Sequence, residues 1–352
     1  MSVTFYDDLE ALPAAGAALF APTPAGNFYD SAAWWHCLVA SAVAPGTACR
    51  FALSTDDQGQ PEALLPLQCS KPGKFASLTN MYSMEYQPML RPNAPLSEAL
   101  NRLARGLRAA KTPVHSLWLD SLPEESALLD PFCNALRKAG YALHRYHHFV
   151  NWYEDTAGKS LDAYMADRPS KLKNTIKRKR KALERDHQVE MILVTDSVGL
   201  DAAMADYDAI YAKSWKQPEP YPNFVRELAR AAAEAGTLRM GVLKVDGVPA
   251  AAQVWLVFNG RATIYKLAYD EDFKKQSVGS ILSVFLTDAV LNETGIDEID
   301  FGRGDDSYKK DWLNTRRERG GLVAAFPFSL VGGADFARHI LPQRLKTALG
   351  RG

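Results

Sequence analysis

The stretch LRMGVLKV (Leu238–Val245), DG (Asp246-Gly247), VPAAAQVWLVF (Val248–Phe258), NG (Asn259-Gly260), RATIYKLAY (Arg261–Tyr269) decides the fold. Asp-Gly and Asn-Gly between β-rich runs are the strongest short-range hairpin signal a sequence offers, so an antiparallel three-strand meander is expected. Directly after it, Asp270-Glu271-Asp272-Phe273-Lys274-Lys275-Gln276 leads into Ser277-Val278-Gly279-Ser280 and a strongly apolar helix expected over Gly279–Glu293. A helix opening on small residues aims several unpaired N–H groups and the positive end of its dipole at one spot, which suits a phosphate or pyrophosphate. Taken locally, the same residues are a capped helix start and nothing more; the position after a meander is what favours the anion site.

The next stretch runs Asp297-Glu298-Ile299-Asp300-Phe301-Gly302-Arg303-Gly304-Asp305-Asp306-Ser307-Tyr308-Lys309-Lys310-Asp311-Trp312. Ile299 and Phe301 alternate with Glu298 and Asp300, so a short strand (Glu298–Phe301) has one apolar and one acidic face. Two glycines then free the backbone for a tight turn. Carboxylates, a phenol and ammonium groups crowd beyond the carboxyl end of that strand, where open α/β sheets bind ligands. The alternative is a polar loop with Asp305 or Ser307 as helix cap.

Outward from these stretches, helices are expected at Ser170–Glu184, Leu200–Trp215, Asn223–Ala235, around Ser307–Leu313 and at Ala334–Leu349, with a strand at Leu322–Phe328. The first half reads as helices at Ser31–Val43, Leu96–Ala110 and Glu124–Ala139. Its strands are expected at Cys49–Leu53, Glu62–Cys69, Phe75–Tyr82, Val114–Leu119 and Tyr141–Tyr153. Thr156-Ala157-Gly158-Lys159-Ser160 reads as a boundary loop, giving domains 1–155 and 156–352. The helix from Ser170 carries an apolar stripe (Leu172, Ile176, Leu183). Nine basic residues lie between Arg168 and Arg185, with Glu184 the single acid. That run is either a solvated helix face or a surface for a phosphate-rich ligand or RNA, although it holds no aromatic side chain for base stacking.

The 352 residues hold 41 Lys+Arg and 41 Asp+Glu with 47% hydrophobic residues, which excludes a disordered chain and argues against a dedicated nucleic-acid binder. No Lys or Arg precedes Arg50 and no apolar run approaches the length of a spanning helix, so a cytoplasmic protein without a membrane segment is expected. Four cysteines lack a Cys-x-x-Cys pair, and His144, His147 and His148 lie on an expected strand that splits them between faces; no metal site is expected.

In Tyr269-Asp270 with Ser277-Val278-Gly279-Ser280, and in Asp300-Phe301-Gly302-Arg303-Gly304-Asp305 with Tyr308-Lys309 and Trp312, the sequence resembles the GNAT acyltransferase superfamily. It is similar in particular to the CelD/BcsL-type branch related to the Fem aminoacyl transferases, whose basic helix the run from Ser170 to Leu183 also resembles. The resemblance spans about Leu161–Phe328; Trp34-Trp35 and Leu64-Leu65-Pro66-Leu67 fit the same branch. It implies an α/β fold with a GNAT-like mixed sheet flanked by helices. By likeness to the Fem layout it implies two tandem GNAT-like domains, the N-terminal copy degenerate. It further implies that Gln276, Ser277, Val278, Gly279 and Ser280 cradle the pyrophosphate of acyl-CoA (acetyl-CoA), beside the strand end Leu267-Ala268-Tyr269, whose backbone supplies an oxyanion donor.

Acyl transfer to an amine needs a proton acceptor and a proton donor. Asp300 or Asp305 is the candidate base, Tyr308 the candidate acid, and Lys309 a candidate for neutralising negative charge. Tyr211, Trp215 and Lys266 are candidates for the acceptor side. The activity so implied is an N-acyltransferase acting by direct attack of a small amine or amino-sugar acceptor. The rival readings are a Fem-like transferase using aminoacyl-tRNA, with the basic helix on the RNA, and a non-catalytic module that binds a nucleotide or partner.

Overall fold

The structure, a computed structural model, describes residues 3–20 and 26–349. The chain is α/β, with mixed sheets flanked by helices, and divides into two units, Met1–Val150 with Arg317–Gly352, and Asn151–Arg316. No described helix is long and apolar enough to cross a membrane.

In the first unit, β1 (Val3–Tyr6), β2 (Ala48–Thr55), β3 (Pro61–Lys71) and β4 (Lys74–Ser77) are antiparallel neighbours in that order. β5 (Met89–Leu90) pairs with β3, and β6 (Ser116–Pro123) runs parallel to β4. Helices α1 (Ala14–Ala17), α2 (Ala32–Ser41), α3 (Leu96–Ala109) and α4 (Leu129–Lys138) accompany them. Trp34, Phe51, Leu64, Phe75 and Phe132 are fully buried, and this unit has an apolar core of its own.

The second unit begins in the last residues of β7 (Ala142–Asp155). Helices α5 (Leu161–Ala166) and α6 (Ser170–Asp186) follow, then β8 (Val189–Val194), α7 (Leu200–Ala212) and α8 (Phe224–Glu234). The meander is β9 (Leu238–Val245), β10 (Val248–Phe258) and β11 (Arg261–Tyr269), followed by α9 (Val278–Leu291), β12 (Glu298–Arg303) and α10 (Lys309–Trp312). Strand order is β7-β12-β11-β10-β9-β8, antiparallel throughout except for the parallel pair β11–β12.

Both meander turns have the backbone that their sequence demands: Asp246 (φ 51°) with Gly247 (φ 81°), and Asn259 (φ 46°) with Gly260 (φ 77°). Positive φ at both central residues is the twist-matched hairpin turn. β10 is buried along most of its length, as a central strand covered on both faces must be. α6 packs its Ile176 and Leu183 into the core of this unit, beside α9 and the 3₁₀ segment Glu271–Gln276.

β13 (Thr315–Ala325) then pairs antiparallel with β6, from Arg319↔Pro123 to Ala325↔Ser116. Residues 317–352 therefore belong to the first unit, whereas a division in chain order assigns them to the second. The expected closing helix is α11 (Leu330–Asp335), a π-helical turn Phe336–Ile340 and α12 (Leu341–Ala348). Asp335 fastens it within its unit, accepting from Ser116 Oγ at 2.5 Å and Trp118 Nε1 at 3.1 Å and pairing with Lys74 at 2.9 Å. β8 is an element absent from the expected set: its residues Val-Glu-Met-Ile-Leu-Val are mostly apolar but do not alternate apolar with polar, and they form a half-exposed edge strand paired with β9 alone.

Candidate active site

The site begins where two strands part. β11 and β12 pair at Arg261↔Glu298, Ala262↔Ile299 and Thr263↔Asp300, and their ladder goes no further. In the ladder between β10 and β11 the register slips between Val254↔Lys266 and Trp255↔Ile264, leaving Tyr265 as an extra residue. A bulge bends its strand and re-aims the residues beyond it. The end of β11 (Leu267, Ala268 and Tyr269) thus stays on β10 and diverges from β12.

The chain then turns into α9. Asp270, 1% exposed, caps the 3₁₀ segment by accepting from Asp272 N at 3.0 Å, and pairs with Lys213 at 3.1 Å. Ser277 takes the left-handed conformation (φ 59°), which swings the chain into the helix, and its side chain makes no cap. The first backbone bond of the helix is Ile281 N to Ser277 O at 3.1 Å. The amides of Val278, Gly279 and Ser280 donate to no acceptor among the described residues. Gln253 fixes the first turn to β10, donating to Gly279 O at 3.0 Å and Ser283 Oγ at 2.8 Å, and itself accepts from Trp255 Nε1. Gly279 lies against Tyr269: a Cβ there stands 3.3 Å from the ring. Gln276 Oε1 is buried without a hydrogen-bond partner among the described residues.

Across the opening is the turn after β12. Asp300, on the acidic face of β12, is 4% exposed; its Oδ1 accepts from Asn151 Nδ2 at 2.7 Å and Gly302 N at 2.6 Å. Asp305 is exposed and accepts from Trp152 Nε1 at 2.7 Å. Lys309, 2% exposed, is wrapped by the turn and donates to the carbonyls of Arg303 at 2.7 Å, Gly304 at 3.2 Å and Gly302 at 3.4 Å. Burial lowers its ammonium, opposed by Asp306 and Asp300. Tyr308 packs on Phe301 with ring centres 6.4 Å apart. Desolvation, reinforced by the Asp306 charge, holds its phenol protonated well above the ordinary range.

The third wall is the segment after α7. The Trp215 ring lies against Tyr269, centres 4.5 Å apart and planes tilted by 37°, and Tyr269 in turn faces Gly279. Lys266, on β11, gives a 2.6 Å ion pair to Glu219, both largely buried. Burial lowers the Lys266 ammonium, and the Glu219 carboxylate opposes the fall. Tyr211 donates to Gln217 O at 2.9 Å, and burial, then Glu219, raises its phenol. Lys216 is half-buried, its Nζ 5.7 Å from the Trp215 ring and 5.9 Å from that of Tyr211. Burial, then the like charge of Lys266, brings it down to about 8, and the charges of Asp306 and Lys309 also act on it. Tyr211, Trp215, Lys266 and Tyr269 thus lie together, and Lys216 is electrostatically coupled to the turn after β12.

Three contributors were not read from the sequence. Asn151 lies in a strand whose partner was unknown, Gln253 is a polar residue inside an apolar strand, and Lys216-Gln217-Pro218-Glu219 looks like an ordinary loop. The lysine directly following the exposed Trp215 was the only available hint.

Residues 170–310 match the family described as acetyltransferase (GNAT) domain, and the whole match falls within the second unit. No curated protein matches the chain. Among solved structures, FemX is 13% identical with a TM-score of 0.60, over 92% of this chain and 97% of that one. A conserved protein of unknown function from Bacteroides thetaiotaomicron VPI-5482 is 14% identical with a TM-score of 0.53, over 79% and 86%. The C-terminal DUF2156 domain of a putative lysylphosphatidylglycerol synthetase from Agrobacterium fabrum is 12% identical with a TM-score of 0.50, over 81% and 89%. At such identities the likeness is one of fold.

Proposed function

We propose that this chain is an acyl-CoA-dependent N-acyltransferase of the CelD/BcsL-type branch, acting in the cytoplasm on a small amine or amino sugar. The observation that carries the reading is a coincidence of place: β11 leaves β12 after Thr263, and the three unpartnered amides of Val278, Gly279 and Ser280 come soon after in the chain. A parted strand pair offers room and open backbone to an extended ligand, and a bare helix head offers donors and dipole to its pyrophosphate. Gly279 fits that role, because a side chain there presses on Tyr269 and disturbs the first turn.

When bound, acyl-CoA supplies a thioester carbonyl ready for attack. The chain's own groups do the rest. A backbone N–H at Leu267–Tyr269 faces the developing oxyanion. Asp305, exposed on the turn, accepts the proton of the attacking amine, while buried Asp300 and Lys309 hold that turn in shape from inside. Tyr308, held as the neutral phenol, carries the proton that the leaving thiolate takes. Tyr211, Trp215 and Lys266 form the acceptor wall.

The test is a thermal-shift screen against acetyl-CoA and longer acyl-CoAs; a ligand at a hundred times its Kd stabilises the folded chain by about 2.7 kcal/mol. No shift with any of them ends the reading. One observation favours a second donor: Lys171, Lys177, Arg178 and Lys181 of α6 are exposed with no ion-pair partner among the described residues, on the helix that packs beside α9. Aminoacyl-tRNA binding through them falls steeply with salt, by about 0.9 per phosphate contact in the logarithmic slope on duplex. Ligand binding without turnover across an acyl-donor panel leaves the non-catalytic module.

A further inference from the structure

One amine in the site has no part in the acyl-transfer scheme. The Nζ of Lys216 has no carboxylate within ion-pair distance and no hydrogen-bond acceptor among the described residues, although the side chain is half-buried. Its surroundings are two aromatic rings, Tyr211 and Trp215, and the second of these packs at a tilt on Tyr269 against the first turn of α9. The one carboxylate on its own segment, Glu219, is engaged by Lys266 at 2.6 Å. From the facing turn, Asp306 and Lys309 act on it with opposite sign. A lysine so placed is a poorly solvated amine with its lone pair uncommitted whenever it is neutral. The shielded lysines Lys244, Lys266 and Lys309 by contrast each have a carboxylate or carbonyl partner.

We propose that Lys216 is a self-acylation site: its ε-amine attacks the carbonyl carbon of an acyl thioester held at the opening between β11 and β12. The N–C bond forms and the C–S bond breaks. The electron pair leaves with sulfur, and the proton shed by the nitrogen passes to the thiolate through solvent or Asp306, so that free thiol and an ε-N-acyl-lysine are the products. The thioester is the only co-reactant. The product removes an unbalanced positive charge and places an amide between the two rings, so the modification acts as a brake on the acceptor wall. This inference rests on the acyl-thioester reading of the site, and two arms of the test separate them.

At pH 8 a lysine brought down to about 8 is half neutral, about a hundredfold more than an ordinary lysine. The lower basicity costs part of that advantage, as it does for thiols, so about tenfold faster acylation remains. The full chain is incubated with acetyl-CoA at several pH values and the sites of acetylation are mapped by peptide mass. In parallel it is treated with limiting acetic anhydride, which needs no binding site. The expected result is acetylation at Lys216 about tenfold ahead of the exposed Lys171 and Lys346 in both arms, its rate levelling above pH 8, and loss of that label in Lys216→Arg. Parity with Lys171 and Lys346 in both arms overturns the proposal. Selectivity with the anhydride but none with acetyl-CoA also overturns it. A thermal shift with acetyl-CoA that persists in Lys216→Arg then shows that the donor reading stands although the inference has failed; absence of that shift shows that both have.

Discussion

Replacing Lys216 with methionine should stabilise this protein at neutral pH. The substitution keeps a flexible apolar stem beside Tyr211 and Trp215 and removes an ammonium that has no partner. Each tenfold in a proton equilibrium is about 1.4 kcal/mol, so a drop from the ordinary 10.5 to about 8 corresponds to roughly 3.4 kcal/mol against the charged form. Solvent reaches part of the side chain, and screening reduces this to about 1–3 kcal/mol. The sign comes from linkage. Below pH 8 the lysine is charged in both folded and unfolded chains, and the full penalty falls on the folded state. Between about 8 and 10.5 the unfolded chain holds a proton that the folded chain has released, so wild-type stability rises with pH, and above that window the penalty is gone. Urea denaturation of wild type and Lys216→Met at pH 7 and pH 10 measures this directly. The expected gain is about 1–3 kcal/mol at pH 7, shrinking towards zero by pH 10.5. A variant less stable than wild type at pH 7, or a gain independent of pH, refutes the account of Lys216 as a half-buried cation without an ion-pair partner.

Three further outcomes rest on the same geometry. Asn151→Ala removes the buried amide that donates to Asp300 at 2.7 Å and Gly302 O at 3.0 Å, and should cost about 2–3 kcal/mol in urea denaturation; a change below about 0.5 kcal/mol contradicts its place in the turn. Gly279→Val pushes a branched side chain into Tyr269, so acetyl-CoA should bind at least about tenfold more weakly while stability changes by less than about 1.5 kcal/mol; unchanged affinity by calorimetry counts against the helix head as the anion site. Tyr308→Phe should lower kcat/KM for acyl transfer about 10²–10⁴-fold with the melting temperature preserved, and full activity in that variant removes the phenol from the mechanism.

What the sequence disclosed and what it withheld divide along the range of the interactions. The turns at Asp246-Gly247 and Asn259-Gly260 are local chemistry, since only such pairs take positive φ twice in succession, and they placed β9, β10 and β11 correctly. The head of α9 was legible from its run of small residues, and the left-handed residue that turns the chain into it is Ser277. The partnership of β13 with β6 joins residues about two hundred positions apart, which no periodicity reports, and it carried residues 317–352 into the first unit. The acidic face that Asp300 shares with Glu298 follows from alternation, but the partner that holds buried Asp300, Asn151, comes from a strand 149 residues earlier. Lys216 carries no sequence signature, because its state depends on Lys266 of β11 and on the turn after β12, which only folding brings near.

The most direct measurement is a structure determined with acetyl-CoA bound. The account predicts pyrophosphate oxygens about 3 Å from the amide nitrogens of Val278, Gly279 and Ser280, with the pantetheine arm lying where β11 parts from β12 beyond Thr263. Pyrophosphate bound elsewhere, with those three amides on water and the space between the strands filled by side chains, contradicts it.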